Sequence, residues 1–287
     1  MMKCEISVIV TVCNSEKFIT KTLNSIAAQK FKDFETIIID DGSTDSSADI
    51  VLPFCRKNRN FYFFSLPHLG ISKARKEGIK RSKGKFISFI DSDDEVMPDF
   101  LSFLHKGINN SDICVCNYKI SFLDFKFTIR NFFHFRKGIY FDKEKMIKSL
   151  ILDVFMRSYF WNKLIKKSLL NDIYIPNFFC FEDMIAMLQI FHRAKKISVI
   201  SNASYIYTKH KNNVSKFMDE KKLKNYIECF EFTKKIIKKY GYKKLNLPIK
   251  IFKIRILYNS IALFFRIHII EKFNLKLFFK KILNVVK

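Results

Sequence analysis

Carboxylates set close together after apolar runs are the first chemistry visible in this sequence. Asp40-Asp41-Gly42-Ser43 follows one such run and Asp91-Ser92-Asp93-Asp94 another, while Thr11-Val12-Cys13-Asn14 ends the first apolar segment. One Asp after a strand is commonly a helix cap. Three carboxylates within four residues repel one another unless a cation or hydrogen-bond donors share the site. That is the composition of a hard-metal site in which Mg2+ or Mn2+ holds a diphosphate. Farther along, Glu182-Asp183 opens an apolar helical pattern, and its carboxyls suit either general-base work or the positive end of a helix dipole. Neither G-x-G-x-x-G nor G-x-x-x-x-G-K-[ST] occurs, so neither a Rossmann fingerprint nor a P-loop handles the phosphates.

These groups meet only if the elements between them share an edge. Ile6–Val12, Thr36–Asp40, Phe61–Phe64 and Phe86–Ile90 are β-branched or aromatic runs that predict buried strands. Helical spacing predicts helices opening at Asn14 or Ser15 and running to Gln29, from the Asp41–Asp45 loop to about Arg56, over Gly70–Ser82 and over Pro98–Lys106. The alternation implies βαβ units and an α/β fold with a parallel sheet covered on both faces. In such a sheet ligands sit outside the carboxyl ends of the strands, where all three polar clusters fall. After Cys116 the rhythm breaks. Ile120–Phe135 reads as short antiparallel strands, Asp142–Phe155 and Glu182–Ala194 as helices, Ile197–Ile200 and Ala203–Thr208 as strands. From about Asp219 apolar residues recur at helical spacing in a basic background, which sets a boundary near 215.

The chain has 287 residues, and 52 Lys and Arg against 27 Asp and Glu leave it at +25, a balance that favours polyanions, anionic lipid or nucleotides. Residues 211–287 alone hold 20 basic and 5 acidic side chains. With 48% hydrophobic residues a sizeable core is available, which excludes global disorder. No apolar stretch reaches the roughly 18 residues of a membrane span, and the N-terminus runs straight into a strand pattern without a signal peptide. The expected location is the cytoplasm. Seven cysteines without a C-x-x-C read as reduced, mostly buried thiols.

Taken together, Ser7-Val8-Ile9-Val10-Thr11-Val12-Cys13-Asn14 with Glu16, Ile38-Ile39-Asp40-Asp41-Gly42-Ser43-Thr44-Asp45, Gly70-Ile71-Ser72-Lys73-Ala74-Arg75 and Gly84 through Asp94 resemble the inverting family 2 glycosyltransferases of GT-A fold. Trp161-Asn162-Lys163-Leu164, Phe181-Glu182-Asp183 and Tyr205-Ile206-Tyr207 with His210 follow in the family's order, so the resemblance covers roughly residues 5–215. It implies a nucleotide-handling half of about 1–118 and an acceptor half of about 119–215, beyond which the charge and helical spacing predict a basic amphipathic helical extension over 216–287. It also implies a nucleotide-sugar donor, often UDP-linked, and Mn2+ or Mg2+. By position, Thr11, Glu16 and Asp41 line the uridine pocket, and Asn14 and Gly70 belong to the same donor-binding set. Asp91 approaches the ribose, Asp93 of the D-x-D ligates the metal with Asp94 beside it, and His210 contacts metal or diphosphate. Arg75 faces the phosphates or braces the acidic loop. Asp183 stands at the position of the general base, and Glu182 orients the acceptor or a neighbouring donor group. Trp161, the only Trp, reads equally as a stacking platform for an acceptor sugar or as core packing. Two departures stand out: Thr11 and Cys13 replace the usual Pro and Tyr, and Lys76 replaces the Asn after the Arg.

The resemblance further implies a hexosyl or N-acetylhexosaminyl transferase acting on a growing glycan or a lipid-linked acceptor, in surface polysaccharide or lipooligosaccharide assembly. Rival readings are a non-catalytic basic module binding membrane or nucleic acid, and a sugar-phosphate nucleotidyltransferase. The latter lacks its Gly-rich phosphate loop here, and no nucleic-acid recognition motif is present, so nucleic acid is not an expected partner. His68 and His105 read as surface or loop residues, and His192 and His268 as interfacial. The basic segment 216–287 suits either an anionic membrane surface at the inner face of the cytoplasmic membrane or a solvated helical bundle.

Overall fold

The β-branched runs form the strands they predict, and their lack of polar alternation has a direct cause. In the computed structural model, which describes residues 4–122, 127–130, 137–152, 157–178, 180–210 and 219–270, β1 (Ile6–Val12) pairs in parallel with β2 (Phe34–Asp41) and with β4 (Phe86–Asp91). Strand β3 (Phe61–Leu66) lies parallel beyond β2. Alternate residues face two separate cores. Val8, Val10, Ile38 and Ile90 meet Ile19 and Leu23 of α1 (Ile19–Ala27) and Val51 of α2 (Ser47–Lys57). Ile9, Ile37, Ile39 and Ile87 meet Ala74 of α3 (Ile71–Arg81) on the other face. The carboxyl ends of β1, β2 and β4 therefore share one rim, as in any parallel sheet.

Beyond β4 the sheet is mixed, in keeping with the antiparallel strands expected after Cys116. Its order is β3-β2-β1-β4-β9-β6-β10-β5. Strand β9 (Lys163–Lys166) runs antiparallel to both β4 and β6 (Ile113–Phe122). It is entered from a loop and left through the 3-10 turn Lys167–Leu170, so no crossover helix dictates parallel pairing. The two strands predicted around 197–208 are one strand, β10 (Ile197–Lys209), parallel to β6 with its register broken between Ile200 and Tyr205, a β-bulge. Strand β5 (Glu95–Val96) pairs with Ile206 and Tyr205, stitching the acidic turn to β10. Strands β7 (Phe127–Arg130) and β8 (Gly138–Tyr140) add to β6 and β10, and α4 (Phe100–Gly107) packs under β10.

The C-terminal helices are part of this core. Residues of α7 (Glu220–Tyr240) and α8 (Asn246–Ile270) pack on α6 (Glu182–Arg193) and α5 (Lys143–Leu152), with Cys229, Phe230, Phe252 and Ile256 in one buried cluster with Ile185, Leu188 and Phe191. Asp219 caps α7 by accepting from the Lys222 N–H, and Gly241 at φ 71° ends it in the left-handed form. His192, in the last turn of α6, stacks on Tyr240 at 3.5 Å, and its Nδ1 lies 2.8 Å from the Tyr242 hydroxyl. The expected boundary near 215, the segment 271–287, the end of the predicted helix at 153–155 and most of the Phe-rich stretch 122–135 lie outside the described residues, as does the His268 side chain. All seven thiols are free, and burial pushes Cys114 and Cys116 up to about 12, which leaves them inert. Among the described residues no helix is long and apolar enough to cross a membrane.

Because Phe252 is fully buried between Tyr226 and Phe230, Phe252→Ala is expected to lower the global stability by about 3 kcal/mol, read from urea unfolding. An unchanged main transition would mean that α7 and α8 melt as a separate unit.

Candidate functional site

At the ends of β1 and β2 the polar residues first hold each other. Asn14, at φ 51° in the left-handed region that Asn tolerates, accepts from the Thr44 N–H at 2.8 Å, and its own N–H donates to Ser43 Oγ. Ser43 Oγ in turn donates to Asp40 at 2.5 Å. Glu16 accepts from the Ser46 N–H and donates its own N–H to Asp45, so it braces the start of α2. Thr11 is half-buried between its register partners Ile39 and Asp91. The buried Asp41 carboxylate accepts from the N–H groups of Leu69 and Gly70 at 2.7 and 2.8 Å, which ties the carboxyl end of β2 to the start of α3. Two glycines are required here. Gly42 has φ +70°, and a Cβ on it would lie 2.7 Å from the His68 N. Gly70 has φ +93°, and a Cβ there would lie 2.8 Å from Asn177 Oδ1.

His68, expected as a plain loop residue, belongs to this rim. Its Nδ1 lies 2.9 Å from the Asp41 carbonyl oxygen and 3.8 Å from Cys13 Sγ, with most of the ring exposed. Spacing alone gave no signal for it, because the pairing of β2 with β3 is what brings residue 68 beside residue 41.

One turn farther into α3, Arg75 is the hub of the site. It is buried, stacks over the Phe160 ring at 4.7 Å, ion-pairs with Glu182 and lies 3.8 Å from Asp91 Oδ1. Burial works against its charge, but the combined field of Glu182, Asp91 and Asp183 outweighs it and raises the guanidinium pKa. Glu182 and Asp183 begin α6 after Phe181, which adopts a left-handed conformation at φ 67°, and both carboxylates complement the helix N-terminus. The buried Glu182 carboxylate turns to Arg75, so it reaches the site through that guanidinium rather than by contact with an acceptor. Asp183 is half-exposed and accepts from the Met184 N–H.

The acidic turn after β4 splits into three outcomes. Asp91 stays at the rim, where burial, partly offset by Arg75 and reinforced by Asp93 and Glu182, pushes its carboxyl up to about 6. Asp93 Oδ2 lies 2.8 Å from His210 Nε2, and the His210 ring stacks on Phe18 at 4.3 Å. Asp94, placed by sequence in the donor-binding set, is fully buried instead: Tyr205 Oη donates to Oδ2 at 2.6 Å and the Thr208 N–H to Oδ1 at 2.7 Å. Burial, with Asp93 and Asp91, raises its carboxyl well above the usual range, and these two donors offset part of the rise. The Tyr205 hydroxyl also accepts from the Asp91 N–H at 3.2 Å. Ser92 is held from the other side by Ser15 and Thr22. Of the two readings of Trp161, core packing is the one the structure shows. At 4% exposure, stacked with Tyr159, Tyr205 and Tyr207 and edge-on to Tyr118, its indole has no face open to a sugar and packs the sheet instead.

Asp93 and His210 fit a divalent cation in donor type: one carboxylate oxygen and one imidazole nitrogen at a separation suited to adjacent ligands of an octahedral ion, about 3 Å apart for bonds of about 2.1 Å. Among the described residues no cluster of three His, Cys, Asp or Glu could hold an ion unaided. Phosphate oxygens and water complete such a shell at Mg2+ sites generally.

Two outcomes are expected. Tyr205→Phe removes the donor to a buried carboxylate and should lower stability by about 1–3 kcal/mol in a denaturant melt; no change would dismiss the clamp. Asp91 is raised to about 6 in the fold against roughly 3.9 unfolded. Its favourable contribution is therefore present below about pH 4 and lost as pH rises to 6. The gain in melting temperature of Asp91→Asn over wild type should grow between pH 4 and 6 and stay level above.

The chain matches Glycosyl transferase family 2 over residues 7–190. It is 27% identical to glycosyltransferase GlyA of Streptococcus pneumoniae over 83% of this chain and 35% of GlyA. It is 31% identical to the cholesterol galactosyltransferase of Borreliella burgdorferi over 72% of this chain and 60% of that protein. The crystal structure of Staphylococcus aureus TarS residues 1–349 in complex with UDP-GlcNAc superposes with a TM-score of 0.65 at 25% identity, covering 84% of this chain and 74% of that TarS fragment. The chain thus spans about a third of GlyA and three fifths of the Borreliella protein. Its mixed sheet flanked by helices is the GT-A-like fold of TarS, and the chain belongs to glycosyl transferase family 2.

Proposed function

We propose that this protein moves a sugar from a UDP-linked donor to a hydroxyl of a growing glycan or lipid-linked acceptor, with inversion at the anomeric carbon. The observation that carries the reading is the convergence on one rim of Asp41 at the end of β2, bonded to the start of α3, Arg75 between Asp91 and Glu182, and Asp93 beside His210. The UDP-GlcNAc complex of TarS supports the donor class, and a relative named for galactosyl transfer to cholesterol supports a lipid acceptor.

In this reading the nucleoside lies over the β1–β2 rim by Thr11, Asn14 and His68, with its ribose toward Asp91. Asp93 and His210 hold Mn2+ or Mg2+, which when bound neutralises charge developing on the leaving diphosphate. Asp183 takes the acceptor hydroxyl proton as that oxygen bonds to the anomeric carbon and the bond from that carbon to the diphosphate breaks, releasing the nucleoside diphosphate. Glu182 and Arg75 keep Asp91 and Asp183 in place without touching the reacting atoms. Attack opposite the leaving group inverts the centre. The products suit polysaccharide or lipooligosaccharide assembly.

A donor screen with Mn2+ or Mg2+, read as nucleoside diphosphate release, tests this. Wild type should turn over at least one UDP-sugar, and Asp93→Ala and Asp183→Ala should each fall by about 10²-fold or more. Full activity in Asp183→Ala would remove it as the base. Undiminished turnover in a chelator would remove the metal.

A further inference from the structure

Helix α8 is apolar on two opposite faces, and only one of them is covered. Phe252, Ile256 and Ser260 are buried toward α5 and α7. Opposite them Ile254, Leu257 and Tyr258 are 63%, 36% and 70% exposed, and Tyr258 and Ile254 are the most exposed large apolar side chains among the described residues. At about 100° per residue these three occupy a stripe roughly 100° wide. Lys250 stands at its N-terminal end, and Lys253 and Arg255 border it on either side. In the sequence the same spacing continues to Ile261 and Phe265. A helix resting on a protein core normally turns charge to the solvent side. One that turns Ile, Leu and Tyr outward between basic edges needs a second apolar environment.

We propose that this face docks on an anionic membrane surface, with α8 lying in the plane of the interface. Ile254, Leu257 and Tyr258 enter the boundary between headgroups and acyl chains, and Lys250, Lys253 and Arg255 sit at the level of the lipid phosphates. Residues 219–270 carry 13 Lys and Arg against 4 Asp and Glu, which selects a negative partner. That charge argues against the other two occupants. A second copy docking by a two-fold would bring two identical basic edges, each with Lys250, Lys253 and Arg255, into one interface. Residues 271–287 add five Lys and one Glu to the same basic surroundings. The helix lies on the membrane rather than crossing it, since no described helix is apolar enough to span. The docking stands independently of the glycosyl-transfer reading, and its test reads binding rather than turnover.

The test is flotation of the full chain with phosphatidylcholine vesicles and with vesicles containing about a third phosphatidylglycerol, at about 0.1 M salt. The protein should float only with the anionic vesicles. Ile254→Asn combined with Tyr258→Asn should weaken partitioning at least tenfold, and Lys250→Gln with Lys253→Gln by about fivefold per charge. All four positions are exposed or half-exposed, so circular dichroism should show an unchanged fold. Absence of flotation by wild type, or equal flotation by the variants, overturns the proposal. A dimer in sedimentation velocity that Ile254→Asn with Tyr258→Asn dissociates would assign the stripe to a second copy and overturn it as well.

Discussion

A guanidinium held among carboxylates inside the protein organises the rest of the site. Arg75 is buried, with Glu182 in contact, Asp91 at 3.8 Å and an aromatic ring beneath it. Removing such charges from water is unfavourable by several kcal/mol per ion, so each partner is stable only while the others stay in place. Arg75 comes from α3, Asp91 from the end of β4 and Glu182 from the start of α6. The pair therefore locks α3 and the end of β4 to the helix that carries Asp183, and a shift of any one element would strand a buried charge.

A second lock lies below the acidic turn. The fully buried Asp94 is held by the side chain of Tyr205 and the backbone of Thr208, both on β10, and the chain reaches His210 two residues past Thr208. Asp93 on the rim and His210 above it thus have their spacing set by a carboxylate that faces the interior. Adjacent residues of one acidic turn do opposite work: Asp93 meets His210 at the rim, and Asp94 turns inward toward the sheet. Ser15 and Thr22 hold Ser92 between them, so the turn is anchored on both flanks before any ligand arrives. This is the preorganisation that electrostatic catalysis needs.

The C-terminal helices link the site to a surface. Their inner faces complete the core shared with α6, so the element that presents Asp183 is backed by the same helices that turn an apolar stripe outward.

The sequence by itself determined the α/β alternation, the placement of three polar clusters at strand ends and the family, because buried β-branched runs and short acidic motifs are local patterns that survive in one dimension. It marked Asp91, Asp93, Arg75, Glu182 and His210 as candidates for the same reason. Only the tertiary structure decided which way each side chain turns. Asp94 looked like a ligand-facing residue and Trp161 could have been either ligand-facing or core, yet Tyr205 and its neighbours enclose both, since strand register and the β10 bulge are set by long-range pairing. Glu16 looked like a pocket residue, and the structure adds that it braces the start of α2. His68 carried no motif and reached the rim only because β3 pairs with β2. The antiparallel entry of β9 was equally illegible: four residues without a crossover helix hold no local mark of direction, and the choice rests with the strands on either side.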